Sequence, residues 1–201
     1  SISKEGLYVN LYGSNTLKTI LPNGEKIEIE QQTNYPWDGK ITLKIVKATP
    51  QVTWNNPSNI TYGQALSSTQ LNATANVAGS FIYTPALDAK LNAGNEQLLS
   101  VFFTPADETN YNTTSSSAKI NVEKATLSVK ANDKTRKYNE SNPTLDGIIS
   151  GVIAGDGITA SYNTTATQSS DVGDYTITAL LSDPNSKLSN YSVSNQPGKL
   201  T

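Results

Sequence analysis

One block of sequence is used twice, and that repetition constrains the fold more than any single residue does. Lys47-Ala48-Thr49-Pro50 returns as Lys124-Ala125-Thr126-Leu127, and Ile60-Thr61-Tyr62-Gly63 returns as Arg136-Lys137-Tyr138-Asn139. Tyr83 before Thr84 matches Tyr162 before Asn163, and Asn92-Ala93-Gly94 matches Asp171-Val172-Gly173. Asn110-Tyr111 matches Asn190-Tyr191. Five landmarks in one order, each 76 to 80 residues from its partner, define two homologous modules. Each is one supersecondary unit used in series.

Inside each module, short alternating segments are separated by Gly, Pro, Asn and Asp, which is the punctuation of strands and turns. Pro50 to Trp54, Leu71 to Ala75, Gly79 to Pro85, Glu96 to Thr104 and Ser117 to Glu123 read as strands, with Tyr62-Gly63 opening a turn. No segment keeps apolar residues at helical spacing for three turns. Val52 and Trp54 share one face, which places Trp54 in the core. Six or seven short strands per module with one buried face predict an antiparallel sandwich of immunoglobulin type. The chain contains no Cys, so aliphatic and aromatic burial must hold the sheets together without a disulfide. Lys47-Ala48-Thr49 and Lys124-Ala125-Thr126 each follow directly on a strand, with no Gly/Ser-rich spacer. This predicts modules joined as a semi-rigid rod.

These residues resemble bacterial immunoglobulin-like repeats. Lys47-Ala48-Thr49-Pro50, Ile60-Thr61-Tyr62-Gly63, Leu71-Asn72-Ala73, Phe81-Ile82-Tyr83-Thr84-Pro85 and Phe103-Thr104-Pro105 with Asn110-Tyr111 carry the resemblance in the first module. In the second, Lys134 to Tyr138, Asn142-Pro143, Gly155-Asp156 and Ser182 to Tyr191 are similar to the related MBG ("mostly beta, glycine-rich") domain. Such modules occur in tandem in large secreted or surface bacterial proteins, including adhesins, and the resemblance implies an architectural role without a shared catalytic site. The first 46 residues resemble something else. Gly6 to Tyr12 and Gln31-Gln32-Thr33-Asn34-Tyr35-Pro36-Trp37-Asp38-Gly39-Lys40 are similar to the start of the β-sandwich in β-L-arabinofuranosidase-like glycoside hydrolases. Catalysis in that family depends on a cysteine-bearing zinc site in a separate barrel. This chain has no Cys, so that activity does not carry over. The expected architecture is all-β: tandem immunoglobulin-like antiparallel β-sandwiches with a partial β-sandwich at the N-terminus. The divisions are a partial sandwich at 1–46, repeat 1 at 47–124 and an MBG/immunoglobulin-like repeat 2 at 125–201.

Composition narrows the chemistry. With no His and no Cys, imidazole bases, thiolate nucleophiles and Cys/His metal sites are excluded. Fifteen basic against seventeen acidic residues leave a net charge of −2, which is no footprint for nucleic acid. No apolar run reaches the length of a membrane span. Catalytic residues, cofactors and metals are all expected to be absent. Tyr35 and Trp37 are the candidates for carbohydrate stacking, since an exposed Trp can cover a pyranose face; a sheet-edge plug is the competing reading. A glycosidase pair would need carboxylates roughly 5–9 Å apart. Glu25, Glu28 and Glu30 instead lie on one strand, where Glu28 and Glu30 read as a solvated face, and Asp107 and Glu108 fall in a loop. Asp171, Asp174 and Asp183 could gather oxygens for Ca²⁺, but their spacing favours turn capping. Lys47 and Lys124 are boundary residues and so poor partners for a buried isopeptide bond. Sequons occur at Asn59, Asn72, Asn112, Asn139, Asn163 and Asn190.

The chain opens at Ser1 without Met or an apolar leader and stops at Thr201 within what reads as a strand, which predicts a piece of a longer product. The functional expectation is a non-catalytic stalk segment of a bacterial extracellular or cell-surface protein, an adhesin-like spacer whose partners are neighbouring domains. One alternative is a filament subunit joined head to tail to identical copies by strand exchange through open edges at 1–46 and 193–201. The other is an accessory carbohydrate-binding part of a glycoside hydrolase, with polysaccharide as partner.

Overall fold

Period-2 burial organises nearly every ordered segment, because alternate side chains of a strand face opposite sides of a sheet. The computed structural model describes residues 16–20, 26–30 and 42–201. Three strands come first: β1 (Thr16–Ile20), β2 (Lys26–Glu30) and β3 (Thr42–Val46). They form one antiparallel sheet in chain order, with Leu17 opposite Ile29 and Ile27 opposite Ile45.

The first repeat supplies β4 (Val52–Thr53), β5 (Ile60–Thr61), β6 (Thr74–Ala75), β7 (Gly79–Thr84), β8 (Gly94–Pro105) and β9 (Thr114–Glu123). β4 pairs with β6, and the other four form a sheet ordered β5-β9-β8-β7. The second supplies β10 (Ala125–Ala131), β11 (Gly147–Ser150), β12 (Thr159–Thr164), β13 (Tyr175–Ser182), β14 (Tyr191–Gln196) and β15 (Gly198–Leu200). They make two three-stranded sheets, β11-β10-β14 and β12-β13-β15. The chain is thus all-β and sandwich-like, with six strands per repeat. Among the described residues the only helical element is a 3-10 turn, Leu188–Asn190.

The repeat is visible in register as well as in sequence. Ala48 bridges Tyr111 in parallel, and its counterpart Ala125 bridges Tyr191 in parallel. Ile60 pairs with Val122 in parallel, and Lys134 does the same with Leu200. Each repeat therefore carries two parallel contacts. Two expected strands are also redrawn. Residues 193–201 divide at Pro197, which has no N–H for the ladder; β14 pairs with β10 and β15 crosses to β13. The alternation at Leu71 to Ala75 belongs mostly to a turn, in which Leu71 N–H donates to Ser67 O at 2.9 Å and Ser67 Oγ meets Gln70 Oε1 at 2.8 Å.

Two compact units are present, and their boundary passes through the first repeat. The first holds the described residues up to Trp54 with Ala73–Tyr83 and Ser100–Ser116. Its core is aromatic. Trp54 is buried, as its strand position predicts, and meets Tyr83 edge-on at 5.3 Å, while Phe81 packs on the fully buried Phe103 at 4.9 Å. The Tyr83 hydroxyl accepts the Ala73 N–H at 3.0 Å.

The second unit comprises Asn55–Asn72, Thr84–Leu99 and Ser117–Thr201. Here β10 buries Ala125, Leu127, Val129 and Ala131 at alternate positions. Ala131 clusters with Ala166, Ile177 and Leu200, and Leu145, Tyr162 and Tyr175 pack around them.

Candidate functional site

The most deeply buried polar cluster of the second unit is where the two repeats meet, and it is built from turns. In the first repeat, Gln64 N–H donates to Thr61 O at 3.0 Å, closing a turn around Tyr62 and Gly63. Gly63 has φ +95°, a conformation that a side chain disfavours. Gln64 returns its Oε1 to Thr61 N–H at 2.6 Å, which locks the turn and aims the Tyr62 ring inward. In the second repeat, Asp156 N–H donates to Ile153 O at 3.1 Å, and Asn185 Nδ2 holds the carbonyls of Gly155 and Asp156 at 3.2 and 3.1 Å. Asp183 caps the following turn by accepting from the Lys187 and Leu188 N–H groups, each at 2.8 Å. That turn delivers Asn190 and Tyr191.

These pieces converge on one carboxylate. The Tyr62 hydroxyl donates to Asp156 with both oxygens at 3.1 Å, and the Tyr191 hydroxyl donates to Asp156 Oδ2 while accepting the Ile153 N–H at 2.9 Å. The two rings cross edge-on at 5.5 Å. Beside them, Asn190 Oδ1 accepts the Ala93 N–H at 2.8 Å. Tyr62, Asp156, Asn190 and Tyr191 are all buried. Asp156 makes no ion pair among the described residues, so two phenols, not a cation, answer its charge. The arrangement ties three chain segments to one buried carboxylate.

Gly63 closes the joint sterically. A Cβ there would lie 2.5 Å from Ile153 Cδ1. Gly63→Ala combines that overlap with an unfavourable φ and is expected to cost about 2–3 kcal/mol, measured by urea unfolding. Burial first, then the Asp156 contact, pushes the Tyr191 phenol up to about 12, and the same causes raise Tyr62. An unfolded phenol ionises near 10. The folded chain therefore retains a proton that the unfolded chain loses. The stabilisation is complete below about pH 10 and disappears as pH rises to about 12, a loss of roughly 2–3 kcal/mol for Tyr191. Alkaline titration followed by circular dichroism should show this decline, and Tyr191→Phe should flatten it.

The residues singled out from sequence fare differently. Tyr35, Trp37 and Glu25 lie outside the described residues. Glu28 and Glu30 lie on β2. Asp107 caps its own loop, accepting from the Thr109 and Asn110 N–H groups at 3.1 Å each. Asp174 pairs with Lys199 at 3.1 Å and accepts from Thr201 Oγ1 at 2.9 Å. Asp183 is the turn cap described above, as its spacing suggests. Among the described residues no group of three or more acidic, His or Cys side chains is placed to share a metal. Lys47 and Lys124 are exposed. Of the sequon asparagines, Asn190 is buried and bonded in the joint, which leaves no room for a glycan, whereas the other five are exposed. Sequence reasoning used Tyr62, Asp156 and Tyr191 only as landmarks. The one signal they offered was an Asp between two glycines, with Tyr at matched repeat positions.

The described residues make an all-β, sandwich-like chain whose second unit buries the Tyr62–Asp156–Tyr191 cluster. Two family models match parts of the chain. Residues 127–201 match the MBG domain, YGX type, and residues 6–55 match the GH127 middle domain of beta-L-arabinofuranosidase. Both matches fit a non-catalytic domain of a larger protein. The chain matches no curated protein. Tyr62-Gly63-Gln64 in the first repeat carries a Tyr-Gly-X sequence, and its counterpart within the matched region is Tyr138-Asn139-Glu140.

Proposed function

We propose that this chain is a non-catalytic structural segment of a secreted or cell-surface bacterial protein, an adhesin-like spacer that holds neighbouring domains at a fixed separation. The observation that carries the reading is the buried Tyr62–Asp156–Tyr191 joint. A flexible linker would leave these groups in water, whereas here one residue, Lys124, separates β9 from β10 and the polar groups on either side are mutually satisfied. β14 and β15 pair with β10 and β13 and end their three-stranded sheets, so strand exchange through residues 193–201 would use their outer edges. The carbohydrate reading rests on Tyr35 and Trp37, which fall within the stretch that matches the GH127 middle domain. Antibodies raised against the chain test the location. They should label intact cells of the producing bacterium or recover the protein from its medium; labelling only after lysis would contradict it.

A further inference from the structure

The first and last stretches of the second repeat run side by side in the same direction. Ala125 lies opposite Tyr191 and Lys130 opposite Gln196 in the parallel ladder of β10 and β14. Pro197, which has no N–H to donate, interrupts that ladder. Pairing resumes beyond it in the same register: Lys134 bridges Leu200 in parallel, and the matched residues are still 66 apart. This far part is bonded as closely as the ladder before it. Lys134 N–H donates to Lys199 O at 2.8 Å, Thr201 N–H to Lys134 O at 3.0 Å and Arg136 N–H to Thr201 O at 2.9 Å. Asp133 Oδ1 accepts the Lys199 N–H at 2.8 Å, and β13 holds β15 from its other side.

Direction decides how such a pairing answers a pull, because tension along the chain enters a module at its first residue and leaves at its last. In a parallel pair those two points lie at opposite ends of the ladder, so a pull slides the strands past one another and all the bonds between them share it. In an antiparallel pair both points lie at one end, and the bonds open singly. We infer that the second repeat is a tension-bearing module. Its β10–β14 ladder and the Lys134–Leu200 pairing beyond it take a pull along the chain in shear. The first repeat pairs in the same direction but in shorter runs: Ala48 bridges Tyr111, and β5 sets two residues, Ile60 and Thr61, against β9. Tension along the chain therefore opens the first repeat before the second. The inference deepens the spacer reading and rests on it, since a spacer transmits whatever pulls on the domains at its ends; the force test below and the cell-labelling test above can fail separately.

Single-molecule force spectroscopy on the full chain tests it, with cysteine handles at exposed positions. Lys124→Cys with Thr201→Cys loads the second repeat in shear, whereas Lys124→Cys with Ser192→Cys puts both handles at one end of the β10–β14 ladder. At one fixed force the lifetime in the first geometry should exceed that in the second at least about tenfold, because several hydrogen bonds must break together and forced unfolding reads the unfolding rate. Asp133→Ala removes the exposed acceptor of the Lys199 N–H. It should shorten the shear lifetime about threefold or more and leave the other geometry unchanged, whereas a general loss of stability would shorten both. Handles at Lys47→Cys and Lys124→Cys load the first repeat, which should open sooner than the second. Equal lifetimes in the two geometries, or an Asp133→Ala effect of the same size in both, would overturn the inference. So would a first step that frees only the residues after Pro197, since the two parts of the pairing would then not bear tension together. A first repeat that outlasts the second would overturn the order of opening.

Discussion

Asp156→Ala is expected to lower the stability of the second unit by about 2–5 kcal/mol. The substitution leaves the Tyr62 and Tyr191 hydroxyls buried without an acceptor, and each stranded donor costs roughly 1–3 kcal/mol. For a chain of this size that corresponds to a fall in Tm of about 5–15 °C. Asp156→Asn should cost far less, about 1 kcal/mol, because its amide oxygen still accepts one hydroxyl and the other can rotate to accept from the amide nitrogen. Tyr62→Phe removes only the Tyr62–Asp156 bond and leaves Tyr191 in place. A double-mutant cycle over Tyr62→Phe and Asp156→Ala should therefore return a coupling of about 1–3 kcal/mol. Additive losses would mean that the Tyr62 contact contributes nothing to stability. All four variants, the double one included, can be followed by urea unfolding.

Phe103→Ala in the first unit should cost about 3–5 kcal/mol. Phe103 is fully buried on β8 and packs against Phe81, with Trp54 and Tyr83 completing the aromatic core. The opposite change at the neighbouring glycine is damaging as well. A Cβ on Gly79 would lie 2.4 Å from Phe103 Cζ and 2.4 Å from the Thr104 carbonyl oxygen. Because one of those atoms is backbone, truncating Phe103 cannot make room for Gly79→Ala, and the double variant should be no more stable than Phe103→Ala alone. Recovery of stability in the double variant would show that β7 and β8 can shift apart. Near-ultraviolet circular dichroism against urea reads both effects, since Trp54 and three other aromatic residues lie in this core.

How much of this was readable beforehand varies by element. Repetition at near-constant spacing located two modules because each landmark has a function in the backbone. The Tyr-Gly and Tyr-Asn turns need positive φ, and Ala48 and Ala125 begin the parallel contacts with Tyr111 and Tyr191. Alternation placed β7, β8 and β9 within a few residues and put Trp54 inside. At Leu71 to Ala75 the alternation in burial holds, but only Thr74–Ala75 pairs as β6, since Ser67 and Gln70 hold the start of the segment in a turn. The joint was not legible. Asp156 becomes a buried acceptor only when Tyr62, 94 residues earlier, folds against it, and neither local propensity nor periodicity reports a contact at that separation. The same landmark tyrosine is buried in the first repeat and exposed in the second, so repetition alone says nothing about which copy is docked.

If the Tyr62–Asp156–Tyr191 joint fixes the two repeats relative to one another, a distance measured across it should take one value. The chain contains no cysteine, so spin labels attach only where cysteines are introduced. Ser117→Cys in the first repeat and Leu180→Cys in the second place labels on exposed positions away from the joint. Double electron–electron resonance should give one narrow distance distribution for this labelled chain and a broad one when Asp156→Ala is added. A broad distribution with the joint intact, or a narrow one that Asp156→Ala leaves unchanged, would contradict the account.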